Sequence, residues 1–363
     1  MKVKIFNDFN IVMDKTILLT SLLIASYGFV VLYSAVDGND FLIYRQGIRL
    51  GVAFFCFFLF AQIPPTYFKI FTPWVFGFSI TLLVLVMFSG IVGQGAQRWL
   101  NLGLITFQPS ELLKIFVPMM IAWYMHDKHL PPRKNEIIII IFIILVPTCL
   151  IGFQPDLGTA ALVFFSGALT LLLTGISVKI ILFLNAIVIS TVPILWYFML
   201  DYQRARVITF FNPGSDPLGS GYNIIQSKIA LGSGGLFGKG WMNGSQSHLD
   251  FLPEQSTDFI FAVAGEEFGF LGLLLLLFMY LVLLGRGIWI ASQASGTFNR
   301  LLSGALSLTF FFYVFVNAGM VCGILPVVGV TLPLISAGGT SMLALMITLG
   351  MIVSVHKHKN LLT

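Results

Sequence analysis

Residues 251–269 read FLPEQSTDFIFAVAGEEFG. They close the one long polar stretch of the chain and open a long apolar run. Asp258 stands at the junction, with Glu266 and Glu267 about two helical turns further on. A carboxylate where an apolar helix meets water is either a cap for the free N–H groups of the helix or the centre of a site. The rest of the chain has to decide between the two.

Its setting is a membrane. Of the 363 residues, 57% are apolar and only 10% charged, with a mean hydropathy of +0.94; a soluble domain carries about 25% charged residues. A spanning helix needs roughly 20 apolar residues, and runs of about that size lie near 16–36, 48–63, 70–92, 109–125, 137–153, 157–174, 178–200, 258–283, 300–323 and 333–355. Barrel-type alternation is absent, so the expected fold is all-α: a polytopic membrane protein of about ten transmembrane helices, with 1–363 as a single membrane domain. The first run reads as a span and not as a cleaved leader.

The net charge of +5 does not point to nucleic acid, because the basic residues follow the topology. Lys2, Lys4, Lys15, Lys69, Lys128, Arg133, Lys134, Lys179, Arg286, Arg300, Lys357 and Lys359 fall in the even-numbered gaps and the tails. Arg45, Arg49 and Arg98 fall in short odd-numbered loops. By the positive-inside rule both termini are then cytoplasmic. The long loop 201–257, between helices 7 and 8, lies outside; within it 222–231 reads as a short amphipathic helix, and its many glycines as a lid. Cys56, Cys149 and Cys322 all sit in apolar runs, which gives neither a disulfide framework nor a zinc site.

One echo ties distant segments together. Gln108-Pro109-Ser110-Glu111 opens the fourth run and Gln154-Pro155-Asp156 the sixth, and proline suits the first turn of a helix. In this topology the even-numbered spans run inward, so Glu111, Asp156 and Asp258 share one depth just below the outer surface. Lys114 follows Glu111 by three residues, on the same helix face. Taken singly, each acid could serve only the helix dipole, for about 0.3–1 kcal/mol, and Glu111 with Lys114 could be an inert pair. Three acids at one level favour a site. A carboxylate there can take a proton from a hydroxyl nucleophile, Lys114 and the outer arginines can hold a phosphate leaving group, and two carboxylates can hold Mg²⁺ or Mn²⁺. A cation path with acids as relays is the alternative.

Other motifs fail on spacing. The segment 232–240 (GSGGLFGKG) has Ser233 and Gly240 where a phosphate loop requires Gly and Ser or Thr. The histidines form no HExxH, and no nucleophile elbow is present.

Five segments, QPSELLK (108–114), QPDLGTA (154–160), IALGSGGLFGKG (229–240), FLPEQSTDFIFAVAGEEFG (251–269) and PVVGVTLPLISAGGTSM (326–342), resemble in order the SEDS family (shape, elongation, division and sporulation). The GKG, FLPE and TDFIFA elements are closer to its rod-shape, RodA-type branch than to its division branch. Ser256 departs from the pattern, since many relatives have His before the Thr-Asp pair.

The resemblance implies an inner-membrane, inverting glycosyltransferase that polymerises lipid II into glycan strands during cell elongation, with its active site facing the periplasm. It implies a class B penicillin-binding protein as crosslinking partner, other elongation-complex membrane proteins, and contact with membrane lipid but not nucleic acid. Asp258 matches the essential loop aspartate. Glu111, Lys114 and Asp156 match polar cavity positions; Arg45, Arg49 and Lys239 join Lys114 as candidates to hold the pyrophosphate. A divalent cation, Mg or Mn, is implied at Asp258 and Asp156. A lipid II flippase and a non-catalytic scaffold for the penicillin-binding protein are the rival expectations.

Overall fold

A computed structural model describes residues 13–93, 96–101, 106–215, 221–249, 251–252 and 254–361. Its architecture is a helical bundle. In chain order the helices are α1 (Lys15–Ala35), α2 (Asp40–Gln62), α3 (Pro65–Ser89), α4 (Pro109–Met125), α5 (Lys134–Phe153), α6 (Leu157–Leu173), α7 (Val178–Phe198), α8 (Asp201–Phe211), α9 (Tyr222–Ser233), α10 (Ser245–His248), α11 (Ile260–Gln293), α12 (Thr297–Val321) and α13 (Thr340–Lys357). Among the described residues, eight helices are long and apolar enough to cross a membrane. Helices α4 and α6, of 17 residues each, stand beside them, at the positions of the fourth and sixth expected spans.

Local chemistry sets the helix starts. Asp14 Oδ1 accepts from Ile17 N at 3.1 Å to cap α1, and Asp156 Oδ1 accepts from Thr159 N at 3.1 Å to cap α6. Pro65 and Pro109 occupy first-turn positions, where a missing N–H costs nothing. The centre of the bundle is α12, which packs against α4, α6, α9, α11 and α13. Small residues let backbones close in: a Cβ at Gly350 of α13 would lie 2.6 Å from Phe57 O of α2. By contrast, no described side chain of α7 is buried.

Three features differ from the sequence expectation. Between α3 and α4 the outer loop folds into a small antiparallel sheet, β1 (Ile91–Gly93), β2 (Ala96–Asn101) and β3 (Thr106–Phe107), with β2 in the middle. The tenth apolar run begins at Pro333, but its helix starts only at Thr340, after an irregular stretch in which Leu334 has φ 65°. Lastly, the run expected at 258–283 extends to Gln293 and is broken at Gly269, whose φ of 68° and ψ of −167° are outside helical space. It is two helices, 260–268 and 270–293. At 1.5 Å per residue the second is about 36 Å long, sufficient to cross without the first.

The long loop is ordered by packing. Helix α9 forms where a short helix is expected, and it docks on the bundle: Ser227 Oγ donates to Val321 O at 3.0 Å. The start of α1 and the ends of α11 and α13 gather at the other end of the molecule, where the Asp14 carboxylate is held by Arg286 (Nη2 2.7 Å, Nε 2.8 Å).

Candidate active site

Asp258 lies in the turn before the short helix 260–268. The N-cap position of that helix is Phe259, and no side chain caps it, so the cap reading of Asp258 is excluded. Its carboxylate accepts no hydrogen bond from the described residues. Burial, followed by the negative charge of Glu254, pushes its pKa up to about 6; Arg206 pulls in the other direction. Gly329, with φ 72°, leaves space at the acid: a Cβ there would stand 3.5 Å from Asp258 Oδ2. Asn317 Nδ2 holds the backbone carbonyl of Asp258 at 2.9 Å.

The other acids have partners of their own. Glu111 and Lys114, on the first turns of α4, form a buried pair at 2.6 Å. The Lys114 ammonium also sits 4.7 Å above the Tyr313 ring, while Glu111 Oε2 is buried without a partner. Asp156, besides capping α6, accepts from Gln108 Nε2 at 3.4 Å and pairs with Arg98 Nε at 3.3 Å. The Gln-Pro echo is thereby a contact: the glutamine of one motif bonds the aspartate of the other. A Cβ at Gly158 would lie 2.3 Å from Val328 O. The turn 324–332 therefore borders the head of α6 on one side and, through Gly329, Asp258 on the other.

Arg45 and Arg49, on the first turns of α2, make no ion pair among the described residues. Arg49 Nε lies 3.8 Å from the place of a Cβ on Gly339, and Gln46 Nε2 donates to Ser336 O at 3.3 Å. The same stretch is bonded to the Asp258 turn, by Ala337 N to Ser256 O at 2.8 Å. Lys239 is engaged elsewhere. Its ammonium meets Glu266 Oε1 at 2.6 Å and Ser245 Oγ at 2.7 Å, which pins the glycine-rich segment to the broken helix. Glu267 is reached by Ser34 and by His248, whose other ring nitrogen faces Asp37. His248 is a link between the end of α1 and the broken helix.

The expected metal pairing of Asp156 with Asp258 does not fit these donors. Arg98, Gln108 and the Thr159 N–H already surround the Asp156 carboxylate, and the guanidinium supplies the positive charge a cation would bring. Among the described residues no three His, Cys, Asp or Glu gather into a metal-sized cluster. A cavity of about 400 Å³ opens at the opposite end of the bundle, lined by Pro64, Lys69, His126, Asn299 and His358. It is remote from Asp258.

Sequence reading missed Arg206, Glu254, Asn317 and Gly329. Of these, Asn317 had a usable signal, a lone amide deep in an apolar run.

A family model described as a cell cycle protein, spanning FtsW, RodA and SpoVE, matches residues 10–361. The chain belongs to the FtsW/RodA/SpoVE family. It is 47% identical over 352 residues to the peptidoglycan glycosyltransferase MrdB of Escherichia coli K12, covering 97% of this chain and 95% of the relative. It is 30% identical to the stage V sporulation protein E of Bacillus subtilis, over 95% of this chain and 97% of the relative. Among solved structures it superposes on a chain of a peptidoglycan synthase complex that coordinates polymerization and crosslinking, with TM-score 0.84, 32% identity and coverage of 96% and 99%. The rod shape determining protein RodA of Thermus thermophilus matches with TM-score 0.74, 27% identity and coverage of 97% and 99%. The family fold thus accounts for the bundle and the loop together.

Proposed function

We infer that this chain is a peptidoglycan glycosyltransferase that polymerises lipid II into glycan strands for cell elongation. The observation that carries the reading is the Asp258 carboxylate: recessed, with its pKa raised to about 6 and without a hydrogen-bond donor among the described residues, in the turn after the long loop at one end of the bundle. A base works best with a pKa near the working pH and with open lone pairs.

In this mechanism Asp258 takes the proton of the acceptor GlcNAc 4-hydroxyl. That oxygen attacks C1 of the donor MurNAc, the C1–O bond to phosphate breaks with inversion, and undecaprenyl pyrophosphate leaves. Arg45 and Arg49 are suited to meet its charge, because no acid among the described residues pairs with them. Glu111 Oε2, buried with an open lone pair, is suited to accept from a substrate N–H or O–H. Lys114 and Asp156 bind less directly, the first holding Glu111 in place and the second presenting Arg98. Lys239 secures the loop through Glu266.

Lipid II carries its sugars at the membrane surface while its prenyl tail stays in lipid, and Asp258 heads a helix at that boundary. With the basic end of the bundle in the cytoplasm, the acid faces the periplasm from the inner membrane. The 47% identity to MrdB supports the activity. Similarity to a chain of a synthase complex supports a crosslinking penicillin-binding protein as partner, alongside the other membrane proteins of cell elongation.

The test is the purified protein with labelled lipid II, in the presence of moenomycin and a β-lactam to silence contaminating synthases. Long glycan from the wild type and none from Asp258→Asn supports the reading. Movement of lipid II across vesicles without polymer would point to a flippase instead, and normal polymer from Asp258→Asn would end the base assignment.

A further inference from the structure

Three consecutive backbone carbonyls lead into the helix at Ile260, and a group from elsewhere in the chain catches each one. Ala337 N donates to Ser256 O at 2.8 Å, Ser336 Oγ to Thr257 O at 2.5 Å, and Asn317 Nδ2 to Asp258 O at 2.9 Å. The donors are themselves fixed. Asn317 Nδ2 also donates to Val330 O at 2.6 Å, Ser336 Oγ accepts from Leu332 N at 2.7 Å, and Gln46 Nε2 donates to Ser336 O at 3.3 Å. We propose that Asn317 and Ser336 are positioning residues for Asp258: they hold the peptide from which the carboxylate hangs and leave its oxygens free for substrate. The proposal rests on the reading of Asp258 as the proton acceptor.

The chemistry of Asn317 supports this. It is fully buried on α12, and two carbonyl acceptors at its tip dictate which end of the amide faces them, since the flipped amide would set oxygen against oxygen. In that orientation its own Oδ1 is buried without a partner. A leucine would fill the same space and remove the unsatisfied Oδ1, but it would leave the Asp258 and Val330 carbonyls without their donor. What only the amide supplies is a bridge between the Asp258 peptide and the Val330 peptide beside Gly329. A donor placed on the carboxylate itself would stabilise its charged form and weaken it as a base. A clamp on the main chain orients the acid without that penalty, and the orientation matters because a displacement of about 1 Å can cost about 100-fold in rate.

The experiment compares purified Asn317→Leu, Ser336→Ala, Ser336→Thr and Asp258→Asn in the lipid II polymerisation assay, with kcat and KM measured separately and melting followed in detergent. Asn317→Leu and Ser336→Ala are expected to lower kcat about 10-fold or more while KM stays within about twofold. Ser336→Thr, which keeps the hydroxyl, is expected to recover most of the rate. The clamp is overturned if folded Asn317→Leu and Ser336→Ala keep wild-type kcat, or if their rates fall only in proportion to the folded fraction. Should Asn317→Leu not fold, the Ser336→Ala and Ser336→Thr pair decides by itself. An inactive Asp258→Asn beside fully active clamp variants sinks the clamp alone; an active Asp258→Asn sinks the base reading instead.

Discussion

Asp258 and Glu266 lie eight residues apart on one segment, and they are opposites. Glu266 is completely buried and receives Lys239, Ser245, Ser233 and the Gln246 N–H. Asp258 is half-buried and receives no donor from the described residues. A carboxylate with every lone pair engaged holds parts together. An unsatisfied one keeps its lone pairs for a visitor and remains basic. The difference separates structure from chemistry more clearly than sequence proximity does.

The largest effect expected from breaking this contrast is at Asp258. Asparagine there should reduce polymerisation by about 10²–10⁴-fold, the usual worth of a general base, measured as glycan formed per unit time. Its stability should move the other way. The folded state raises the pKa from 3.8 to about 6, so stability is lost as pH rises from about 4 through 6. At pH 7.5 Asp258→Asn should therefore melt at or above the wild type, and at pH 4 the two should coincide. Next comes Lys239→Met, which strands the buried Glu266 carboxylate. It should cost about 3 kcal/mol and several degrees in melting temperature, with the pH–rate profile of the surviving protein unmoved.

That profile is itself a prediction. The wild-type rate should climb with pH and reach half its plateau near pH 6, where Asp258 ionises; a flat profile from 5 to 8 would count against Asp258 as base. Smaller again, Arg45→Ala and Arg49→Ala should each raise KM for lipid II by about 3–10-fold, as expected for an exposed or half-exposed phosphate contact. Smallest is Gly329→Ala. Its positive φ costs about 1 kcal/mol in a non-glycine residue, and the strained turn lies beside Asp258 Oδ2, 3.5 Å from the added methyl, so a two- to fivefold loss of rate is expected.

Much of the bundle was legible because each span must be apolar over a length set by the bilayer. Helix α4 begins and ends where the apolar run does. The glutamine-proline echo was legible as a pattern, and the Gln108–Asp156 bond gives it a cause. What escaped were features that segment hydropathy does not encode. Mean hydropathy carries the run past Glu266, Glu267 and Gly269 as one span, so only a backbone angle marks the division there. The sheet at 91–107 is made of strands too short to show a period. The partners of Lys239 and His248 are 27 and 211 residues away, and no local rule connects them. Likewise Asp258 was legible as a candidate, but its want of a hydrogen-bond donor among the described residues was not, since that depends on how segments distant in sequence pack around it.

The break at Gly269 has a mechanical consequence. Residues 270–293 answer to the bilayer, and they can tilt when its thickness changes by a few ångströms. Residues 260–268 are tied to the glycine-rich segment: Lys239 N bonds Glu266 O at 2.9 Å and Gly240 N bonds Glu267 O at 3.0 Å. The same segment reaches across the break, where Phe270 N bonds Gly235 O at 2.9 Å and Leu271 N bonds Leu236 O at 3.1 Å, so it splints the joint, and a tilt of the lipid-facing helix is passed on to the piece that aims the acid.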